Sequence, residues 1–422
     1  MRKILLLPAF LFLSFGIKIL AQQRSCATNE AVKQQIAADP DYARKMKENE
    51  KNFENYKSRP ADPNARQIRI TIPVVVHVVY NTATQNISDA QVQSQIDVLN
   101  EDFTATNKDY NNYDAGYTAV KGDVDIKFCL ALVIHKATDK PSFGANDQVK
   151  KNSSGGSDPI DPMHFLNIWV CNLGQNLLGY AYYPGIKPEK YGAVIHYLSF
   201  GRGAGYNFFT SYDLGRTATH EIGHCLGLVH IWGDKNCGND QVDDTPLHNG
   251  PNFGCPEQGL RSTCTGTPVQ MWMNYMDYTD DRCMYLFTDG QAARADFFMS
   301  TDPQLNSIIN STCDGRPGNG NKDLITSTNL NNNISRISIP VFSLYPTITS
   351  GQLVLSVNES KGGKAQIFVY NETGGLVMKQ TIFIADGNTA NDINVGRLGN
   401  GVYILQLNQG SQKQTRKFIV QH

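Results

Sequence analysis

The apolar residues of this chain change their spacing along its length, and each change predicts a different element. In Ile68–Tyr80, "IRITIPVVVHVVY", β-branched residues run almost unbroken, the pattern of a strand covered on both faces. In "NISDAQVQSQIDVLNEDF" the spacing becomes helical: Ala90, Val92, Ile96, Val98, Leu99 and Phe103 share a face, and Ser88 followed by Gln91 predicts a capping box. "VDIKFCLALVIH", "FLNIWVCNL", "LGYAYYPG" and "GAVIHYLSFG" predict further strands, ahead of a helix in "TATHEIGHCLGLVH". Strand, helix, several strands and a second helix predict an α/β (α+β) domain with a twisted sheet. Beyond residue 340 the chain is short alternating strands parted by Asn/Gly turns, as in "GQLVLSV", "GGLVMKQ" and "LGNGVYILQL". These predict a small all-β sandwich over residues 341–422.

The stretches outside these patterns predict the remaining organisation. Arg2 and Lys3 lead into "ILLLPAFLFLSFG" and a small-residue exit, which reads as a secretory signal peptide over residues 1–21. Residues 22–65 are polar and charged, able to form some helix but with little to bury, and read as a propeptide. Residues 314–340 are rich in Gly, Asn and Ser and read as a linker. Composition adds exclusions. The chain has 422 residues, 41% of them hydrophobic, and a net charge of −1. It is long enough for two or more folded units, and its charge points away from nucleic acid or an anionic membrane as partner. No later segment is apolar enough to predict a transmembrane span.

Export permits disulfides. The nine cysteines are an odd number, so at least one is unpaired. Cys237, Cys255, Cys264 and Cys283 cluster in a loop-rich region. Cys129 and Cys171 sit in strand-like runs and read as buried thiols, and Cys225 reads as packing on the histidine-bearing helix.

That helix carries the chemistry. His220 and His224 are one turn apart on one face, where two imidazoles reach one metal ion. Glu221 lies beside the first and suits a general base. Gly227 suits the left-handed turn that ends a helix, which brings His230 back as a third ligand, while Gly223 reads as merely small. Three neutral histidines leave a tetrahedral zinc one open position, and zinc lowers the pKa of water it binds to about 7. His77, His135, His164, His196 and His248 lack partners at ligand spacing and read as structural.

The motif His-Glu-x-x-His-x-x-Gly-x-x-His over His220–His230, with "NYMDY" downstream, resembles a metzincin metalloprotease. In that group a methionine turn floors the zinc site. Met276 fits, ahead of Met271 and Met273, because Tyr278 follows it. By resemblance, Tyr278 hydrogen-bonds the tetrahedral oxyanion. "IPVVVHVVY", "LNIWVCNLGQNLLGYAYYPG" and "DDTP…C…NYMDYTDDRC" narrow the resemblance to the pappalysin family, over about residues 67–313, so that 66–313 is the expected catalytic domain. The resemblance implies a secreted zinc-dependent endopeptidase acting on protein and peptide substrates. It implies that "LGYAYYPG" is an edge strand that pairs with an extended substrate. It also implies the disulfides Cys237–Cys264 and Cys255–Cys283.

Three finer implications follow. The family prefers Arg or Lys just after the scissile bond, read by an acid after the methionine turn; Asp281 matches, with Asp280 as a rival. The family binds calcium beside the active site, and "CGNDQVDDTP" offers Asp240, Asp244, Thr245 and the Val242 carbonyl. Family zymogens block zinc with a propeptide cysteine. Cys26 in "RSCATNE" takes that role, although Ala27 stands where the family has Gly, and a disulfide between Cys26 and Cys313 is the alternative. With a basic preference, Ala65–Arg66 is the self-cleavage bond, ahead of Arg59, which Pro60 follows.

The C-terminal strands, from "SLYPTITSGQLVLSV" to "TRKFIVQ", resemble the type A sorting domain of the type IX secretion system of Bacteroidetes. This implies the type IX machinery as partner and a secreted or outer-surface location in a Gram-negative bacterium. The rival for this module is an adhesive or sugar-binding sandwich. The rival for the whole chain is a surface adhesion protein whose metal site is structural.

Overall fold

A computed structural model describes residues 24–57, 70–112, 116–174, 176–313, 341–345, 348–371, 375–409 and 412–422. The signal peptide, the Ala65–Arg66 bond, Arg59 and the linker 314–340 lie outside the described residues. The chain divides into two compact units at Asn310/Ser311.

The first unit is built on a five-stranded sheet in the order β3-β1-β4-β6-β5. β1 (Ile70–Tyr80), β3 (Ile126–Ala137), β4 (Leu166–Cys171) and β6 (Ala193–His196) are parallel, and β5 (Gly179–Tyr180) closes one edge antiparallel to β6. A separate short ladder joins β2 (Lys121–Gly122) to β7 (Phe287–Thr288). The helices are α1 (Thr28–Ala38), α2 (Pro40–Lys57), α3 (Asp89–Phe103), α4 (Arg216–Cys225), α5 (Asp289–Thr301) and α6 (Pro303–Ile309). β1 is buried from Ile72 to Val79, as its apolar run requires. "LGYAYYPG" is shorter as a strand than predicted, because only Gly179 and Tyr180 find ladder partners.

Polar side chains rearranged two local expectations. Ser88 caps α3 by accepting from the Gln91 N–H at 3.2 Å. The Gln91 side chain, however, donates to the Phe200 carbonyl at 2.9 Å, so only half of the capping box forms. Ala90 is exposed, and Gln91 and Gln95 take the buried face instead. Gln95 donates to the Gly215 carbonyl and accepts from the Gly201 N–H, so its burial satisfies loop backbone that would otherwise lack partners.

The N-terminal polar segment, expected to bury little, forms α1 and α2 and buries Ala31, Val32, Tyr42 and Phe53 in the main core. Tyr42 and Phe53 are about three helical turns apart, on one face of α2. Cys237–Cys264 and Cys255–Cys283 are disulfides, and Cys26, Cys171 and Cys225 are free and buried. Cys129 corrects its reading as a thiol: it is disulfide-bonded, as is Cys313. Cys129 lies on the edge strand β3, where its stretch is only partly covered.

The second unit contains β8 (Val341–Tyr345), β9 (Ile348–Thr349), β10 (Gln352–Asn371), β11 (Leu376–Asn394), β12 (Gly401–Gln409) and β13 (Gln412–Val420). All pairings are antiparallel except β9 with β13. The first half of β10 pairs with β8 and its second half with β12. Leu353, Leu355, Ile367 and Val369, from the two halves, share one core with Leu405 and Phe418. Among the described residues no helix is long and apolar enough to cross a membrane.

Candidate active site

α4 is wholly buried. It stops at Cys225 because Gly227 takes φ +86°, a conformation costly to residues with a Cβ. A Cβ there would also lie 2.2 Å from Phe298 Cδ2. The turn closes with Leu228 N–H donating to the Gly223 carbonyl at 2.9 Å, and the chain swings back to place His230 beside His224. Gly223 corrects its reading as merely small. A Cβ on it would lie 2.6 Å from Met276 Sδ, so the methionine sits against the helix only because this residue is glycine.

Each histidine of the motif is oriented through Nδ1. His220 donates to the Tyr275 carbonyl at 2.7 Å, His224 to the Leu228 carbonyl at 2.8 Å, and His230 to Asp234 Oδ1 at 2.6 Å. Carbonyls and carboxylates only accept, so the proton sits on Nδ1 and Nε2 is left bare. Burial, then the neighbouring histidines, holds the His220 imidazole well below its usual range, and burial takes His224 down to about 3. His220 Nε2 is buried with no hydrogen-bond partner. His224 Nε2 faces His230 Nε2 at 3.2 Å, lone pair to lone pair. Cys26 Sγ completes the group, and the four ligand atoms lie within 4.8 Å of one another. Orphaned, converging lone pairs of N and S type fit a zinc ion.

The surrounding residues are equally close. Glu221 Oε2 accepts from Cys26 Sγ at 3.4 Å and from Thr28 Oγ1 at 3.2 Å. Burial pushes its carboxyl up to about 8, against the pull of hydrogen bonds from Cys26 and Thr28 and of the Arg24 charge. Tyr278 donates to the Cys26 carbonyl at 3.2 Å, with its ring edge-on to His230 at 5.0 Å. Asp281 is fully buried at the start of α4. Its Oδ2 accepts from the Leu214 and Arg216 N–H groups, and its Oδ1 meets Arg24 Nη2 at 2.6 Å. Asp280 Oδ2 lies 3.6 Å from Arg282 Nη2. Thr245 Oγ1 lies 2.9 Å from both Asp240 oxygens and from the Val242 carbonyl, whereas Asp244 accepts from Thr288 Oγ1 and Gly290 N–H at the first turn of α5.

The family model described as pregnancy-associated plasma protein-A matches residues 149–300, and that of a secretion system C-terminal sorting domain matches residues 343–421. An extracellular metalloprotease of Arthroderma gypseum is 30% identical over 307 residues, spanning 70% of this chain and 89% of the relative. The chain belongs to the pappalysin family of metalloproteases. Solved structures agree. Mature mirolysin of Tannerella forsythia, in complex with a cleaved peptide, is 44% identical with a TM-score of 0.54, over 59% of this chain and 96% of that one. A mutant of promirolysin from the same organism is 40% identical with a TM-score of 0.60, over 68% and 97%. The enzyme is thus a secreted zinc metallopeptidase, which sets aside the adhesion reading. Its type IX sorting tail directs it to the cell surface or beyond.

Three residues that orient or fill the site escaped the sequence reading. Asp234 follows His230 in "HIWGD", and an acid just past the last ligand is a usable signal for a residue that orients a histidine. Arg24 and Thr28 flank Cys26, and nothing in their local sequence points across the chain to Asp281 or Glu221.

Proposed function

We propose that the enzyme is made as a zymogen whose pro-segment, within residues 22–65, fills the cleft, and that the mature form cleaves before Arg or Lys. One observation carries this reading: Arg24 and Cys26 occupy the Asp281 pocket and the metal ligand cluster together. Ala27 N–H donates to the Gly179 carbonyl at 3.0 Å and Leu178 N–H to the Ser25 carbonyl at 2.9 Å. The pro-segment therefore runs parallel to the edge strand. A substrate pairing antiparallel with that edge runs the other way, so the Arg24 position corresponds to the residue after its scissile bond. Arg24 is also held by the Thr279 carbonyl and lies over the Tyr212 ring at 5.0 Å, a cage suited to a guanidinium. Promirolysin aligns with a larger share of this chain than mature mirolysin does, in keeping with a removable pro-segment. Ala65–Arg66 is the proposed self-cleavage bond.

His220, His224 and His230 hold zinc in the mature enzyme, with Cys26 as fourth ligand in the zymogen. When bound, zinc supplies Lewis-acid polarisation of the scissile carbonyl and lowers the pKa of water. Glu221 takes a proton from the attacking water as it adds to the scissile carbonyl, and returns it to the amine nitrogen as the C–N bond breaks. Once the pro-segment leaves, the Tyr278 hydroxyl is released from the Cys26 carbonyl and donates to the substrate's carbonyl oxygen. Met276 supports α4 through Gly223. Asp240, Thr245 and the Val242 carbonyl converge as hard oxygen donors for a calcium ion, with Asp244 as a bridge to α5.

Cleavage-site profiling on a peptide library, with wild type and Asp281→Ala, tests the reading. We expect Arg and Lys after the cut in wild type and loss of that preference in the variant. Random residues there in wild type would overturn it.

A further inference from the structure

β5 has only two ladder pairs, Gly179 with Ile195 and Tyr180 with Val194. Yet the chain beyond it offers Ala181 N–H to the cleft, where it donates to Thr28 Oγ1 at 2.9 Å. Side chains on the other side hold it there. Tyr182 donates to Asp147 Oδ2 at 2.9 Å, and Tyr180 to Asp147 Oδ1 at 3.3 Å. The Asp147 N–H donates back to the Tyr180 oxygen at 3.3 Å. Lys150 Nζ lies 3.3 Å from Asp147 Oδ1 and donates to the Lys190 carbonyl at 2.5 Å. It sits over the rings of Trp169, Tyr180 and Tyr182 at 5.2, 5.2 and 4.8 Å. Asp147, Lys150, Tyr180 and Tyr182 are all buried, and none of them reaches the metal ligands.

A buried ion pair is expensive to desolvate and rarely the cheapest way to stabilise a core. What it supplies here is direction. Lys150 fixes Asp147, and the two carboxylate oxygens fix two hydroxyls, that of Tyr180 at the end of β5 and that of Tyr182 two residues on. The intervening residue, Ala181, is thereby turned to the cleft. The strand has little room to drift, since a Cβ on Gly179 would lie 2.8 Å from Glu221 Oε1.

We propose that Asp147 and Lys150 are positioning residues that hold the substrate-pairing edge in register through the hydroxyls of Tyr180 and Tyr182. The proposal rests on the reading of this edge as the strand that pairs with substrate. It predicts that the clamp acts on recognition of extended substrates rather than on bond cleavage.

The test is steady-state kinetics of the activated enzyme on peptides that share one scissile sequence and are lengthened stepwise along Ala181–Tyr183. Tyr182→Phe removes one hydroxyl and keeps the ring. We expect it to raise KM for the long peptides about five-fold, the worth of one hydrogen bond, and to leave kcat and the short peptides unchanged. Asp147→Asn, which also strands Lys150, should raise KM further in the same length-dependent way. Ala181→Pro separates the two claims. If it leaves KM unchanged at every length, the edge-strand reading fails. If it raises KM for long peptides while Tyr182→Phe does not, the edge reading stands and the clamp is overturned. A fall in kcat/KM that is equal for short and long peptides, together with a lowered melting temperature, overturns it as well by showing a purely structural role.

Discussion

α4 and the edge strand β5 pack against one another at the site, Gly179 against Glu221, and they are held there by different means. α4 is a run of local decisions. His220, Glu221 and His224 are placed by helical spacing, His230 by the turn at Gly227, and two of the three Nδ1 atoms by backbone carbonyls. β5 makes almost no local decisions. It has two ladder pairs, and its continuation depends on hydroxyl contacts to Asp147, more than thirty residues away in sequence. The difference separates chemistry from recognition. The proposed metal ligands tolerate little displacement and are fixed mostly by backbone, with Asp234 holding the third, while the proposed substrate edge is fixed by side chains that can vary without disturbing the ligands.

The largest effect should come from the helix. Glu221→Ala is expected to lower peptide cleavage by about 10⁴-fold, the upper range for a general acid–base group. Zinc content, measured by metal analysis, should be unchanged. An active Glu221→Ala enzyme would break the chemical half of the comparison. The two glycines of the motif provide a sharper contrast. Gly227→Ala adds a left-handed penalty to a clash with the buried Phe298 ring and should cost about 3 kcal/mol or more in urea unfolding, with loss of zinc. Gly223→Ala meets the movable end of Met276 and should cost about 1 kcal/mol. Equal losses at the two positions would show that the turn is not what places His230.

The most condition-dependent effect belongs to the sheet behind the edge strand. His77 on β1 is hydrogen-bonded to Ser157 and Asn167 and stacks on Trp169, which also lies under Lys150. Burial lowers its imidazole from 6.5 to about 4. The unfolded chain therefore takes up the proton first as pH falls. The stabilisation is complete above about pH 6.5 and is lost as the pH drops toward about 4. The shift corresponds to about 3 kcal/mol at most, spread over that window. Urea midpoints across it should fall in wild type and fall less in His77→Gln; parallel slopes would remove His77 from the account.

Legibility followed the same division. The motif helix, the long buried strand β1 and the C-terminal strands could be read directly, because each is a repeating local pattern. The capping box at Ser88 was half right. Ser88 obeyed its local rule, but Gln91 found a better acceptor in the Phe200 carbonyl, which no window around residue 91 contains. Cys129 followed its apolar neighbours in reading as a thiol, and its place on an edge strand decided otherwise. The N-terminal polar segment was underestimated most. Its mean composition is polar, yet Tyr42 and Phe53 fall on one face of α2, and Glu50 meets Arg294, whose Nε donates to the Gly227 carbonyl at 2.7 Å.

The sequence by itself determined the proposed metal ligands, the proposed base and the turn that joins them, since all lie within eleven residues and depend only on helical geometry and one glycine. The tertiary structure alone decided what else fills and borders that site: Arg24 against Asp281, Thr28 against Glu221, Asp234 behind His230, and the Asp147 clamp behind the edge strand. These contacts join residues by burial and charge rather than by periodicity. A buried ion pair or an orphaned lone pair exists only once the chain around it has closed and excluded water.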